Sequence, residues 1–142
     1  MFRSTTSGLA ADKVYFSEDR DFETGPIGIE YKLRGETVET FFVLYHMTKD
    51  PIYMCGNDGG LSGREWGWNI FKSIVEKCKT ESGFAQYRDV HSAYSSLGDE
   101  APSYFVGKTM KFFYLLFSTK NVVTLGRTLF TTGGHMLPIF EQ

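Results

Sequence analysis

The chain has 142 residues, of which 42% are apolar and 23% are charged, and its formal net charge is −2 at pH 7. A chain of this length fits a single domain, residues 1–142, with one hydrophobic core. Nucleic-acid-binding proteins usually concentrate lysine and arginine in one stripe, so this weakly acidic composition does not favour a nucleic-acid partner. The strongest apolar run, residues 112–117, is too short to span a membrane, so we expect a soluble, cytoplasmic protein that has no membrane partner.

The first third of the chain predicts β structure. Residues 13–17 have the composition of a strand, and residues 27–44 predict a hairpin. The hairpin turns at Gly35 and Glu36, because a pair that begins with glycine is typical of a type II′ turn. This register pairs Leu33 with Val38, Tyr31 with Thr40, Ile29 with Phe42 and Ile27 with Leu44. One face of the hairpin is then almost entirely apolar, which supports the register.

A helix is predicted after the next strand. Residues 51–54 indicate a short strand that enters a glycine-rich loop. Ser62 and Glu65 then have the spacing of a capping box, in which each side chain bonds the backbone N–H of the other residue. The apolar residues that follow recur every four positions: Trp66, Ile70, Ile74 and Cys78. We therefore expect a helix with one buried face, on which Cys78 is a small apolar residue.

The rest of the chain predicts further helices and a second hairpin. Residues 84–97 have an apolar stripe at helical spacing and end before a glycine, so we expect a helix there. Residues 103–117 favour a third helix with Lys108 and Lys111 on its polar side, although their many aromatic residues also suit a buried strand. Residues 122–140 predict two strands joined by a turn at Gly133 and Gly134, with Pro138 placing the last strand at a sheet edge.

Together these elements predict an α+β fold. We expect a mostly antiparallel sheet of five or six strands, with two or three helices packed on one face.

The glycine-rich loop is one candidate binding site. A loop that leads into a helix N-terminus presents free backbone N–H groups, which many proteins use to hold phosphate. The residues that would do so here are Gly59, Gly60, Ser62, Gly63 and Arg64. The loop lacks the lysine of a P-loop, so the alternative is an ordinary capped connection.

The sequence offers weaker patterns for catalysis and metal binding. Cys55 could be a nucleophile if His46 or His135 lay beside it and acted as its base. The three histidines of the chain have no spacing typical of metal ligands, so we expect no metal site. We therefore assign no catalytic residue and expect no cofactor.

The aromatic residues suggest a binding surface. Phenylalanine, tyrosine and tryptophan make up 16% of the chain, and Trp68 is expected on a different helix face from the buried stripe. An exposed tryptophan near Arg64 resembles a protein-binding hot spot, unless another segment covers it. An unpaired strand edge near Pro138 and the basic C-terminal part would also permit a homodimer.

These features favour a non-enzymatic domain that binds another protein through Arg64 and Trp68. Such a domain would act as an inhibitor, an immunity factor or an adaptor. The alternative is a small enzyme or sensor that binds a phosphorylated metabolite or nucleotide at residues 56–64.

Overall fold

A computed structural model describes residues 2–19, 22–53, 63–120 and 122–140. The α-helices in these ranges are α1, Glu36–Thr48; α2, Gly63–Lys77; and α3, Lys111–Phe117. A π-helix, Phe105–Met110, runs directly into α3, and short 3₁₀ helices lie at Phe2–Ser4 and Pro51–Tyr53. The strands are β1, Thr128–Phe130, and β2, Met136–Pro138. None of the helices in the described ranges has the length and apolar character needed to cross a membrane.

The contacts of the chain divide it into two compact units. The first unit comprises Met1–Arg34 and Asn69–Pro102, and the second comprises Gly35–Trp68 and Ser103–Gln142. The division falls inside α2, so each unit contains part of that helix. The single domain expected from the chain length stays a prediction.

The first unit is held together by isolated backbone bridges around Tyr87. Tyr31 and Tyr87 exchange two backbone hydrogen bonds of 2.8 and 3.0 Å, and Tyr87 also pairs with Leu97. The most deeply buried side chains of this unit are Leu9, Leu33, Ile74, Cys78, Tyr87 and Val90. Burial of these residues, rather than a continuous sheet, stabilises the unit.

The core of the second unit is a cluster of phenylalanine rings from α1, α3 and β1. The ring centroids of Phe112 and Phe130 lie 5.0 Å apart, and those of Phe42 and Phe112 lie 5.8 Å apart. These separations are typical of aromatic pairs in protein cores. The cluster fixes the hairpin of β1 and β2 against the two helices.

The expected α+β fold with five or six strands is wrong. In the described ranges the one sheet has two strands, β1 and β2. Residues 13–17 form a single bridge, Tyr15 with Glu23, instead of a strand. Residues 51–53 form a 3₁₀ turn because the Asp50 carboxylate accepts a hydrogen bond from the backbone N–H of Ile52.

The predicted hairpin at residues 27–44 is also wrong, because its second half is α1. Gly35 has a φ of −106°, whereas a type II′ turn requires a positive φ at its first central residue. Leu33 has a φ of 58°, which interrupts an extended strand. The apolar residues that α1 buries are spaced for a helix as well as for a strand: Val38, Phe41 and Phe42. Burial on that helix face outweighs the strand propensity of valine and phenylalanine.

Residues 84–97 do not form the predicted helix. The backbone N–H and carbonyl of Tyr87 both form hydrogen bonds with the backbone of Tyr31, so they are not available for helical hydrogen bonds. The Asp89 carboxylate accepts a bond from the backbone N–H of His91, and the Ser92 hydroxyl accepts one from that of Tyr94. Aspartate and serine compete with helical bonding in this way, and they turn the chain here.

Three of the predicted elements are confirmed. α2 covers most of the predicted helix, and Ile70, Ile74 and Cys78 on its apolar stripe are buried. Residues 105–117 are helical throughout, first as the π-helix and then as α3. β1 and β2 pair in an antiparallel hairpin with Leu129 opposite Leu137, and Gly134 has the positive φ, 78°, that its turn requires.

Gly67 allows α2 to pack closely on α3. A Cβ atom at this position would lie 2.5 Å from Cδ2 of Leu116, a side chain that is completely buried. We expect Gly67→Ala to lower the free energy of unfolding by about 1–3 kcal/mol, the usual cost of overpacking a core. Urea unfolding measures this change.

Gly107→Ala is the matched control for this prediction. Gly107 also lies in a helical segment, but a Cβ atom there would meet nothing within 4 Å. We expect Gly107→Ala to leave stability unchanged or to raise it by up to about 1 kcal/mol. Equal effects of the two substitutions would show that α2 and α3 are not in close contact at Gly67.

Candidate functional site

The second unit contains a buried lysine. Lys108 belongs to the π-helix, and only 5% of its side chain is exposed. Lysine is almost never buried unless it is paired with opposite charge. π-helical turns are rare and are often found at functional sites. Lys108 is therefore a candidate functional residue.

Two carboxylates from the first turn of α1 neutralise this lysine. The Lys108 Nζ atom lies 3.0 Å from Oε1 of Glu36 and 2.9 Å from Oε2 of Glu39. The glutamates are three positions apart, so they project from neighbouring points of one helix face. Their side chains are 53% and 26% exposed, respectively. Glu36, Glu39 and Lys108 form what we call the Lys108 cluster.

Lys108 stays charged at neutral pH. Burial disfavours the ammonium, but its hydrogen bonds to Glu39 and Glu36 and their negative charges together outweigh burial and raise the pKa of Lys108 above its ordinary value of 10.5. A lysine whose pKa is raised on folding stabilises the protein at neutral pH, and that contribution is lost only at strongly alkaline pH.

Two glycines bring other segments close to the π-helix. A Cβ atom at Gly134, in the hairpin turn, would lie 3.0 Å from the Cα atom of Lys108. The Nζ atom of Lys111 donates a 2.6 Å hydrogen bond to the Gly134 carbonyl. A Cβ atom at Gly35, just before α1, would lie 2.8 Å from the Cα atom of Thr109. These close approaches position the start of α1 beside Lys108.

Sequence reasoning missed the Lys108 cluster. The prediction that Lys108 lies on the polar side of its helix is wrong, because its side chain is buried and paired with Glu36 and Glu39. The predicted hairpin contains Glu36 and Glu39, and side chains three positions apart in a strand point to opposite faces. The three-residue spacing of the glutamates was the available signal, and it becomes meaningful only once α1 is recognised as a helix.

The predicted loop site falls mainly outside the described residues. Gly59, Gly60 and Ser62 lie there. Gly63 packs so closely on the preceding segment that a Cβ atom would lie 2.1 Å from the Tyr53 carbonyl oxygen. Arg64 donates a 2.6 Å hydrogen bond to the Phe117 carbonyl at the end of α3. Gly63 and Arg64 therefore have structural roles here.

Trp68 lies on the surface, as its helix position predicts. Its side chain is 49% exposed, and its ring meets the Phe117 ring edge-on with centroids 5.7 Å apart. Whether another protein or a second copy of the chain binds this surface stays a prediction.

Thiol catalysis at Cys55 stays a prediction, because Cys55 lies outside the described residues. His46 Nδ1 lies 2.9 Å from the Phe42 carbonyl, and His91 Nε2 lies 2.7 Å from the Thr24 hydroxyl. Among the residues that the structure describes, no group of three histidine, cysteine or acidic side chains could hold a metal ion.

The thiol of Cys78 is buried, as predicted, and should make stability depend on pH. Burial raises its pKa from 9.0 to about 12. Above pH 9 the unfolded thiol ionises while the folded one remains protonated, so stability falls as pH rises. We expect Cys78 to contribute a loss of about 1.4 kcal/mol in unfolding free energy per pH unit between these pKa values.

The comparison of wild type with Cys78→Ala isolates this contribution. Urea unfolding at several pH values from 8 upward should show that the free energy of unfolding falls more steeply for the wild type. All other groups that titrate in this range are present in both proteins. Identical slopes would contradict the raised pKa of Cys78.

A family model described as glycosyl hydrolase family 47 matches residues 1–139 of this chain. The chain is 33% identical over 138 residues to human mannosyl-oligosaccharide 1,2-alpha-mannosidase IC, covering 96% of this chain and 20% of that protein. It is 32% identical over 149 residues to the rat endoplasmic reticulum mannosyl-oligosaccharide 1,2-alpha-mannosidase, and this match covers 99% of this chain and 21% of that protein. The chain thus spans about a fifth of the length of these relatives.

A solved structure agrees with these matches. The alpha-1,2-mannosidase from Trichoderma reesei superposes with a TM-score of 0.69 and 22% identity, over 84% of this chain and 24% of that protein. This likeness identifies the fold as part of an α/α barrel, which agrees with the single two-stranded sheet of the described ranges.

The comparisons also correct the expected function and location. A match to a glycosyl hydrolase family over nearly the whole chain contradicts a non-enzymatic inhibitor, immunity factor or adaptor. It equally contradicts the alternative of a phosphate-binding sensor or enzyme at residues 56–64. The name of the rat relative places that protein in the endoplasmic reticulum, so the expected cytoplasmic location is wrong.

Proposed function

The chain belongs to glycosyl hydrolase family 47, and we propose that it supplies a carboxylate to a site that hydrolyses α-1,2-linked mannose. The names of the human and rat relatives support this linkage and a mannosyl-oligosaccharide substrate. Because the chain spans about a fifth of those proteins, the proposal assigns only one part of the site.

The observation that carries the proposal is the Lys108 cluster. Glycosidases flank the scissile bond with carboxyl groups, one of which acts as an acid and the other as a base or nucleophile. Glu36 is 53% exposed, whereas Lys108 beneath it is almost completely buried. The carboxylate of Glu36 can therefore reach a substrate while it remains bonded to the ammonium group.

Glu36 acts as the base or the nucleophile in this proposal. Its carboxylate accepts a hydrogen bond from the Lys108 ammonium, and in this ionised form it has no proton to give to a leaving group. Lys108 and Glu39 position it, because the ammonium bridges both glutamates at about 3 Å. A carboxylate held in this way keeps the fixed geometry that catalysis requires.

A location in the endoplasmic reticulum fits the same proposal. The rat relative that carries this location in its name matches 99% of the chain. Mannosyl-oligosaccharides, the substrates named for the relatives, would then be available to the site.

An assay of linkage specificity tests the proposed function. The chain is incubated with α-1,2-mannobiose or with α-1,6-mannobiose, and released mannose is measured. We expect the α-1,2-linked disaccharide to be cleaved at least about tenfold faster, a difference of 1.4 kcal/mol between the transition states. Equal cleavage of the two disaccharides would contradict the proposal.

A further inference from the structure

The second unit contains a cavity that is distinct from the Lys108 cluster. Its volume is about 220 Å³, and the last turn of α1 and the end of α3 line it. Glu36 begins α1 and Thr48 ends it, so the two ends of this helix are about 18 Å apart at 1.5 Å per residue. A ligand in this cavity would not contact Lys108.

The inner wall of the cavity is apolar and rigid. It includes Phe42, Leu115 and Val123, which are 2%, 6% and 6% exposed, respectively. Phe42 belongs to the phenylalanine cluster of the core, so this wall is already formed without a ligand. A preformed apolar wall with a few polar groups around it is typical of small-molecule sites.

One of the polar groups is a fixed hydrogen-bond acceptor. His46 Nδ1 lies 2.9 Å from the Phe42 carbonyl, which can only accept a hydrogen bond, so Nδ1 carries the proton. In the neutral ring Nε2 is then an acceptor. The imidazole lies 4.2 Å from the Phe42 ring and 5.4 Å from the Tyr45 ring, measured between centroids. These contacts hold the acceptor in place.

The rim of the cavity is rich in hydrogen-bond donors. Lys49 and Lys120 supply ammonium donors, and Thr119 supplies a hydroxyl group. The Ser118 hydroxyl already donates a 3.2 Å hydrogen bond to the Lys120 carbonyl. Lys49 also lies over the Tyr45 ring, 5.8 Å from its centroid. The C-terminal ends of α1 and α3 each carry roughly half a negative charge, which offsets about half of the charge of the two lysines. Among the described lining residues there is no carboxylate.

We propose that this cavity binds a neutral monosaccharide. A sugar ring has apolar C–H groups that suit the inner wall and hydroxyl groups that both donate and accept hydrogen bonds, as the rim requires. The volume lies below the roughly 300–1,000 Å³ of pockets for larger ligands, which suits a single sugar ring. The cavity would thus hold a sugar independently of the site at Glu36.

NMR of the aromatic rings tests this proposal directly. Methyl α-D-mannopyranoside is titrated into the chain while the ring signals of Tyr45 and His46 are followed. We expect saturable shifts of both rings with a millimolar dissociation constant. His46→Phe keeps the ring but removes the acceptor, so the shift of Tyr45 should require at least tenfold more sugar.

A second variant and a second ligand complete the experiment. Thr119 is exposed on the cavity rim, so Thr119→Trp should block the cavity and abolish the shifts without disturbing the core. Inorganic phosphate should leave both rings unchanged. The proposal is overturned if the sugar moves neither ring, if both variants bind it like the wild type, or if phosphate shifts the rings at lower concentration than the sugar.

Discussion

Replacing Lys108 with methionine should lower the free energy of unfolding by about 2–3 kcal/mol. Methionine fills similar space, so the change mainly removes the ammonium group that bridges Glu36 and Glu39. Removing one partner of a fully buried ion pair costs about 3–5 kcal/mol, because the remaining charge is left unpaired. Both glutamates are partly exposed and regain some hydration, so we expect a smaller loss than that.

Urea unfolding of two further variants separates the loss of the ion pairs from a nonspecific effect of replacing a lysine. Lys72 is exposed on α2, and Lys72→Met should change stability by no more than about 0.5 kcal/mol. Adding Glu39→Gln to Lys108→Met should restore part of the loss, because it removes one unpaired carboxylate. If Lys108→Met lowered the free energy of unfolding no more than Lys72→Met does, the ion pairs of the Lys108 cluster would not stabilise the protein.

Replacing Glu36 with glutamine should reduce the hydrolysis of α-1,2-mannobiose by about 10³-fold at saturating substrate, within the range expected for loss of an acid–base group. Glutamine keeps the shape of the side chain but cannot accept a proton or form a bond to the sugar. Because the amide can still hydrogen-bond a sugar, we expect KM to change little and kcat to account for the loss.

Glu81→Gln is the matched control, because Glu81 is an exposed glutamate in the first unit. It should retain the full rate. Circular dichroism of Glu36→Gln should show native helix content, so that lost activity is not lost folding. If the Glu36→Gln variant retained more than a tenth of the wild-type rate, Glu36 would not be the proposed base or nucleophile.

The elements that sequence reasoning predicts correctly are those with local signals. α2 has a regular apolar stripe that contains Ile70 and Ile74, and its burial pattern follows from that stripe alone. The C-terminal hairpin depends on a short glycine turn, at which Gly134 adopts the positive φ that glycine favours. In both cases neighbouring residues in the sequence determine the structure.

The elements that sequence reasoning predicts wrongly depend on contacts between residues far apart in the sequence. Val38, Phe41 and Phe42 suit either a strand or a helix, and packing against α3 decides for the helix. Tyr87 lies in a segment with helical spacing, but its pairing with Tyr31 holds it in an extended form. No pattern within either segment indicates which distant residues that segment contacts.

The candidate site could not be predicted for the same reason. Lys108 lies 72 positions after Glu36, and the two meet only because α1 and the π-helix pack together. Lysine is rarely buried, so its residue type predicts an exposed position for Lys108, although it lies four positions before the buried Phe112. Recognising α1 as a helix would at least have placed Glu36 and Glu39 on one face.

The most direct test of the account is whether a mannose disaccharide binds at the Lys108 cluster. The ¹⁵N signal of the Lys108 ammonium is followed by NMR while α-1,2-mannobiose is titrated into the Glu36→Gln variant, which should not cleave it. We expect a saturable shift of the Lys108 signal and no shift of the Lys72 signal. Binding or hydrolysis of the disaccharide without any change at Lys108 would contradict it.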